Sequence, residues 1–335
     1  ATMNLTNLTN AIFVSSDLSG ANFTGATFAN ILSRSVIGLA TATLPTGYVG
    51  RGGAIFGNNV RITSANLTNA DLSGITLTNS DVSGATFTGA TLTNIRTVAL
   101  TGTATATLPA GYVFRNGVIV GPNVSLVGSA LSSVDLSGIS IAGTDLSGTD
   151  LSGANLTNLI SGNLRNASTT APAPATTILP TGYIFYNNSF IVGPAVNLSN
   201  TTLTNLDISG AGVADLTRTR LTSANLTNAS LFNMDISGVD ISGATITGLR
   251  SFGLTGGTAA ATRLPTGYFA RASTGNTGTI VGPSVNLSSL TLQNIDLSGG
   301  ITLTGANFTN TDIGGASTNL AGIITGSITG LDTAT

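Results

Sequence analysis

Residues 64–94 read Ser-Ala-Asn-Leu-Thr-Asn-Ala-Asp-Leu-Ser-Gly-Ile-Thr-Leu-Thr-Asn-Ser-Asp-Val-Ser-Gly-Ala-Thr-Phe-Thr-Gly-Ala-Thr-Leu-Thr-Asn, and they decide the fold. A large apolar residue falls on every fifth position: Leu67, Leu72, Leu77, Val82, Phe87, Leu92. Two places before each stands a small residue or a second apolar one, and Asn, Asp, Ser, Thr and Gly fill the remaining places. A period of five matches neither the 3.6 of a helix nor the 2 of a flat strand. It suits a coil that turns a corner every five residues. The large residue and the one two before it then face inward, and alternation puts the polar residues outside. Gly or Asn at each corner tolerates unusual backbone angles, and Thr suits the short extended sides. With 43 glycines, and Thr and Asn throughout, the chain is a poor helix former.

The pattern extends outward in both directions. It runs through Met3, Leu8, Phe13, Leu18, Phe23 and Phe28, from Leu126 to Leu156, from Leu198, and again from Leu287, with slips near Val213 and Gly300. Units such as ANLTN, ADLSG, TDLSG and ANFTG resemble those of the pentapeptide-repeat family, and dozens stand in frame over more than half the chain. The resemblance implies an all-β fold, a right-handed four-sided parallel β-helix with four units to a coil.

A second repeat overlies the first. Leu44-Pro45-Thr46-Gly47-Tyr48 returns at Leu108–Tyr112, Leu179–Tyr183 and Leu264–Tyr268. These motifs mark four hairpin-like inserts, 34–59, 96–122, 161–195 and 251–284, between pentapeptide blocks 3–33, 60–95, 123–160, 196–250 and 285–331 of one solenoid. Asn116-Gly117, between Val113-Phe114 and Val118-Ile119-Val120, is a hairpin signal. Gly-Pro at 121–122, 193–194 and 282–283 would end the strand and return the chain to the coil. The Ala171–Pro174 stretch reads as an extended, exposed lengthening of the third insert. Blocks two and three hold seven units each. If an insert replaces one side, successive inserts lie eight sides apart, on one face, about 9.6 Å from each other. That spacing predicts a lateral sheet of stacked hairpins, rooted at Leu44, Tyr48, Leu108, Tyr112, Leu179, Tyr183, Leu264 and Tyr268. The tyrosines are expected to pack the hairpin roots rather than form a binding stripe.

Composition restricts function. Only 7% of the 335 residues are charged: eleven Arg and thirteen Asp, with no Lys, Glu, His, Cys or Trp. Acid–base and nucleophilic catalysis at neutral pH draws mainly on the residue types that are missing, so no enzyme and no cofactor is expected. The Asp residues mostly precede the large inward residue, where a side chain bonds neighbouring backbone amides. Asp215 and Asp235, twenty residues apart and hence stacked, are the metal candidate, although a hard cation wants more oxygen ligands than two carboxylates give. Arg220 should stack over Asp240. The Asn-x-Ser/Thr triplets at Asn22, Asn66, Asn155, Asn225 and Asn307 are products of the repeat.

A net charge of −2 makes neither nucleic acid nor an anionic membrane a partner, and no apolar run spans a bilayer. A surface of Thr, Ser, Asn and Gly suits an extracellular or cell-surface location, and the Ala-Thr start suggests a removed leader or a trimmed end. With no helix or charged cap evident at either end, coils at Met3, Leu8, Phe13, Leu18 and Phe23 and at Asn319, Leu320, Ile323 and Ile328 are expected to stack head to tail. The expected product is a fibre, sheath or surface layer whose partner is the protein itself. Two alternatives stay open: a DNA mimic that inhibits a type II topoisomerase, a role the family includes, and a Thr-rich surface- or ice-binding rod using Thr24, Thr68, Thr78, Thr88 and Thr93.

Overall fold

In the computed structural model, residues 1–165, 176–208, 215–257, 262–273 and 278–330 are described. They contain no helix. The Ala171–Pro174 stretch and the slip at Val213 lie outside these residues. The chain divides into two compact units, one of residues 1–155 with 161–180 and one of residues 156–160 with 181–335.

Each unit is a parallel β-helix with four sides to the coil. In the first unit, Thr2 pairs with Asn22, Asn7 with Thr27, and Asp17 with Ile37, all parallel and twenty residues apart. Where a side is regular enough to form strands, these are β1 (Ile12–Val14), β2 (Ile31–Arg34), β5 (Val60–Arg61), β6 (Thr76–Thr78), β7 (Arg96–Val98), β12 (Ser230–Phe232) and β13 (Arg250–Phe252). Twenty residues per coil is four units of five, so the sequence period becomes the geometry directly. Phe23, Leu67, Leu72, Leu77, Val82, Phe87 and Leu126 are fully buried, as the frame requires. The corner residue takes a left-handed conformation, with φ of +58° at Asn69 and +69° at Gly74. Near Gly300 the slip is real: Asn286 pairs with Asn307, twenty-one residues on, and Gly299 and Gly300 both take positive φ to absorb the extra residue.

The four inserts are antiparallel hairpins: β3 (Val49–Arg51) with β4 (Ala54–Phe56), β8 (Val113–Arg115) with β9 (Val118–Val120), β10 (Ile184–Tyr186) with β11 (Phe190–Val192), and β14 (Phe269–Ala272) with β15 (Gly278–Val281). They do not form a lateral sheet. The second strand lies in the core: Ala54, Ile55, Phe56, Ile119 and Val120 are wholly inaccessible. In the first unit the hairpin tips bond to the preceding coil, Val36 N–H to Gly53 O at 2.9 Å and Leu100 N–H to Gly117 O at 2.9 Å. The other flank meets the next coil, where Arg115 Nε donates to Asp135 O at 2.6 Å. These hairpins are layers between coils rather than flaps beside them.

Nor do they share a face. After the first insert, sides begin at Arg61, Asn66, Asp71, Thr76, Asp81, Thr86, Thr91, Arg96, Thr101 and Thr107, each paired in register with a coil above or below. Ten sides intervene, so the second insert follows the first by eleven, one short of three turns, and stands a quarter-turn away. In the second unit thirteen sides, from Asn197 to Arg263, separate β11 from the fourth insert. That makes fourteen, three and a half turns, so β10–β11 and β14–β15 take opposite faces. The expectation of eight sides fails because Arg96, Thr101 and Thr107 still build wall, although their sequence departs from the repeat.

Candidate functional site

The hairpin root is the most constrained part of the molecule. Pro45-Thr46-Gly47-Tyr48 is a type II turn: Tyr48 N–H donates to Pro45 O at 3.1 Å, and Gly47 sits at φ +85°. The turn drives the tyrosine ring inward against a glycine at the end of the second strand. Gly57, Gly121, Gly193 and Gly282 each lie so close to Tyr48, Tyr112, Tyr183 and Tyr268 that an added Cβ would overlap the ring. Each hydroxyl then donates to the carbonyl of the residue after that glycine: Tyr112 to Pro122 at 3.1 Å, Tyr183 to Pro194 at 3.0 Å, Tyr268 to Pro283 at 3.0 Å, and Tyr48 to Asn58 at 3.0 Å. Burial pushes all four phenols above the usual tyrosine range, with the Asp215 carboxylate adding to the rise at Tyr183. Tyr48 also packs edge-on against Phe28, centroids 5.3 Å apart. The root tyrosines are thus joints, with their hydroxyls engaged by backbone carbonyls.

A second part of the joint was missed in the sequence. The inner hairpin strand brings backbone N–H and C=O groups into the core, where each needs a partner. A hydroxyl provides one. Ser33 Oγ accepts from Ile55 N–H at 2.8 Å, Thr97 Oγ1 from Ile119 N–H at 2.7 Å, and Ser251 Oγ from Ile280 N–H at 2.9 Å. These residues are buried and occupy the inward position that Leu or Phe holds elsewhere. Ser161 falls at the corresponding place before the third hairpin. A hydroxyl at the centre of a five-residue unit is the signal that announces an insert.

The acidic and amide side chains serve the corners. Asp17, Asp71, Asp135, Asp150 and Asp296 each accept, through Oδ1, the N–H of the Ser two residues on, at 2.8 to 3.0 Å. The hydroxyl of that Ser, and after it the N–H, hold all five carboxyls below the usual range. Asn22, Asn66, Asn225 and Asn307 bond Thr24, Thr68, Thr227 and Thr309 in the same way, which gives the Asn-x-Ser/Thr triplets a structural cause.

Asp215 and Asp235 do stack in adjacent coils. Their carboxylates are engaged in the same turns, by Thr217 N–H at 2.6 Å and Ser237 N–H at 2.8 Å. Among the described residues no group of three acidic, His or Cys side chains forms a metal-ligand set. Arg220 stacks over Asp240, as the spacing predicts, and Arg263 follows in the next coil.

Ten of the eleven arginines fall into two groups. Arg34, Arg51, Arg96, Arg115, Arg165, Arg250 and Arg271 donate to backbone carbonyls. Arg218, Arg220 and Arg263 instead line one cleft of about 350 Å³ with Asp240. Burial works against ionisation of Asp240, but bonds from Ser242 and the Arg263 and Arg220 charges hold its carboxyl below the usual range.

The expected assembly surfaces divide as well. In the first unit Met3 and Leu8 are half-buried, and Phe13, Leu18 and Phe23 are buried. In the second, Leu320 is 41% exposed, and Ile323 and Ile328 are half-buried against the core of that unit.

The family model for pentapeptide repeats matches the chain in eight copies, over residues 1–30, 58–94, 123–158 and 214–248. Among solved structures, the chain is similar to HetL, a pentapeptide repeat protein involved in heterocyst differentiation regulation from the cyanobacterium Nostoc sp. strain PCC 7120. The identity is 21%, covering 74% of this chain and 85% of that one, with a TM-score of 0.19. It is also similar to full-length QnrB1, a plasmid-mediated fluoroquinolone resistance protein, at 13% identity over 97% of this chain and 92% of that one, with a TM-score of 0.12. A comparison with curated proteins finds no match.

Proposed function

Because the chain belongs to the pentapeptide-repeat family, and its side chains are occupied in building walls, corners and joints, we propose that it is a non-enzymatic structural protein that joins copies of itself head to tail. One observation carries the reading. The coil whose Met3, Leu8 and Leu18 N–H groups donate to Asn22, Thr27 and Ile37 carries exposed apolar side chains, Leu5 at 84% and Ile12 at 65%. In the second unit Leu320 and Ile324 are exposed likewise. Another copy's coil would cover these apolar side chains, and a heterologous contact of this kind propagates rather than closes.

The hydroxyl and amide surface supports an extracellular fibre, sheath or surface layer, because such groups keep their character across pH and salt. A DNA-like surface needs a dense negative field, and eleven Arg against thirteen Asp do not make one.

Negative-stain microscopy and sedimentation of the purified chain test the reading. Filaments are expected, and a bulky charged tag at the N-terminus should stop their growth while the far-ultraviolet spectrum stays unchanged. If the untagged chain stays monomeric at high concentration and the tag makes no difference, the reading fails.

A further inference from the structure

We propose that the cleft lined by Arg218, Arg220 and Arg263 binds a tetrahedral oxyanion, the sulfate or phosphate ester of an anionic ligand. Three observations converge there. Arg220, Asp240 and Arg263 leave the wall from successive coils of one side. Rungs lie about 4.8 Å apart, so the two arginines flank the carboxylate at a fixed spacing set by the backbone. Arg218 enters from the adjacent corner, where it holds φ +58°, a conformation that Gly and Asn adopt at most other corners. An arginine there is unfavourable for the backbone, and nothing in the packing calls for it.

The charge is not balanced internally. The Arg263 and Arg220 charges act on the Asp240 carboxylate and Arg218 lines the same cleft, so three cationic side chains meet one acidic side chain in its lining. Asp240 is itself engaged by Ser242 N–H at 3.0 Å and by the Ser242 hydroxyl. Seven other arginines donate to nearby carbonyls; among the described residues the guanidiniums of Arg218, Arg220 and Arg263 make no hydrogen bond, and all three residues are exposed. Guanidinium presents a planar fork of donors that fits two oxygens of a sulfate or phosphate. Asn158 also lines the cleft.

The test is titration of the full chain, by calorimetry at low ionic strength, with inorganic sulfate, inorganic phosphate and, as a carboxylate control, acetate. One saturable site per chain is expected for sulfate or phosphate, and the tighter of the two identifies the ester. Arg218→Gln and Arg263→Gln should each weaken it about tenfold or more, in keeping with loss of a charge-assisted pair. Asp240→Asn should strengthen it several-fold, since it removes the competing charge and keeps the Oδ1 acceptor that Asn225 uses at the same ladder position. Arg115→Gln should leave it unchanged. Far-ultraviolet spectra establish that each variant is folded. Absence of saturable binding, equal binding of acetate, or binding indifferent to Arg218→Gln, Arg263→Gln and Asp240→Asn would each overturn the proposal.

Discussion

The ring of Tyr112 fills the space that a side chain on Gly121 would need. Gly121 has no positive φ to explain it; the glycine is there for close approach alone. Gly121→Ala should therefore destabilise the chain by about 1–3 kcal/mol through overpacking. Tyr112→Phe removes only the bond to Pro122 O and should cost about 1 kcal/mol. Denaturant unfolding of the two variants checks the order. Equal losses would mean that the tyrosine hydroxyl, rather than ring packing, holds the joint.

Thr97 supplies the acceptor for Ile119 N–H inside the core. Thr97→Val keeps the shape and leaves that N–H without a partner, at a cost of about 1–3 kcal/mol. Thr97→Ser should be nearly neutral, since Ser33 and Ser251 do the same work in other joints. Hydrogen exchange at Ile119 should rise sharply in the valine variant and little in the serine one.

Leu72 is fully buried in an uninterrupted stretch of wall. Leu72→Asp puts a charge in the core with nothing to pair it and should cost several kcal/mol, more than the 2–5 kcal/mol or so of Leu72→Ala at its lower end. A variant as stable as the parent would show that the inward frame is misassigned.

Stability should hardly change between about pH 5 and 9, because the sequence has no His, Cys, Lys or Glu to titrate there. The loss comes on the acid side. Asp71, Asp135 and Asp296 have folded pKa values below the ordinary 3.8, so the unfolded chain takes up protons first. Their contribution is complete above that value and disappears as pH falls through the lower folded ones. Melting temperatures measured from pH 2 to 9 should be flat and then fall below about pH 4; a transition near pH 6 or 7 would contradict this.

Much of this molecule was legible in its sequence, and the parts that were not share a cause. Where an apolar residue recurs every fifth place, as from Leu67 to Leu92, the side chain that must be buried announces itself. The same rule hid the sides around Thr97 and Ser251, because there the interior holds a hydroxyl. Its partner, Ile119 or Ile280, comes 22 or 29 residues later, so no local pattern reveals the pairing. Those sides were counted as insert, and the angular placement of the hairpins was lost with them. The arginine cleft was hidden similarly. Arg220 over Asp240 follows from twenty-residue spacing, but Arg263 comes twenty-three residues after Asp240, which the simple count passes over.

The spacing of eleven sides between the first two hairpins makes repeat number an azimuth. Each five-residue unit is a ninety-degree click, so duplicating Ala70–Gly74 would bring the count to twelve, three whole revolutions, and swing the second hairpin round to look the same way as the first. No contact within either hairpin would need to change. A chain built like this can re-aim its hairpins by gaining or losing a single unit. Direction is stored as an integer, and in-frame slippage within a repetitive gene would be enough to rewrite it.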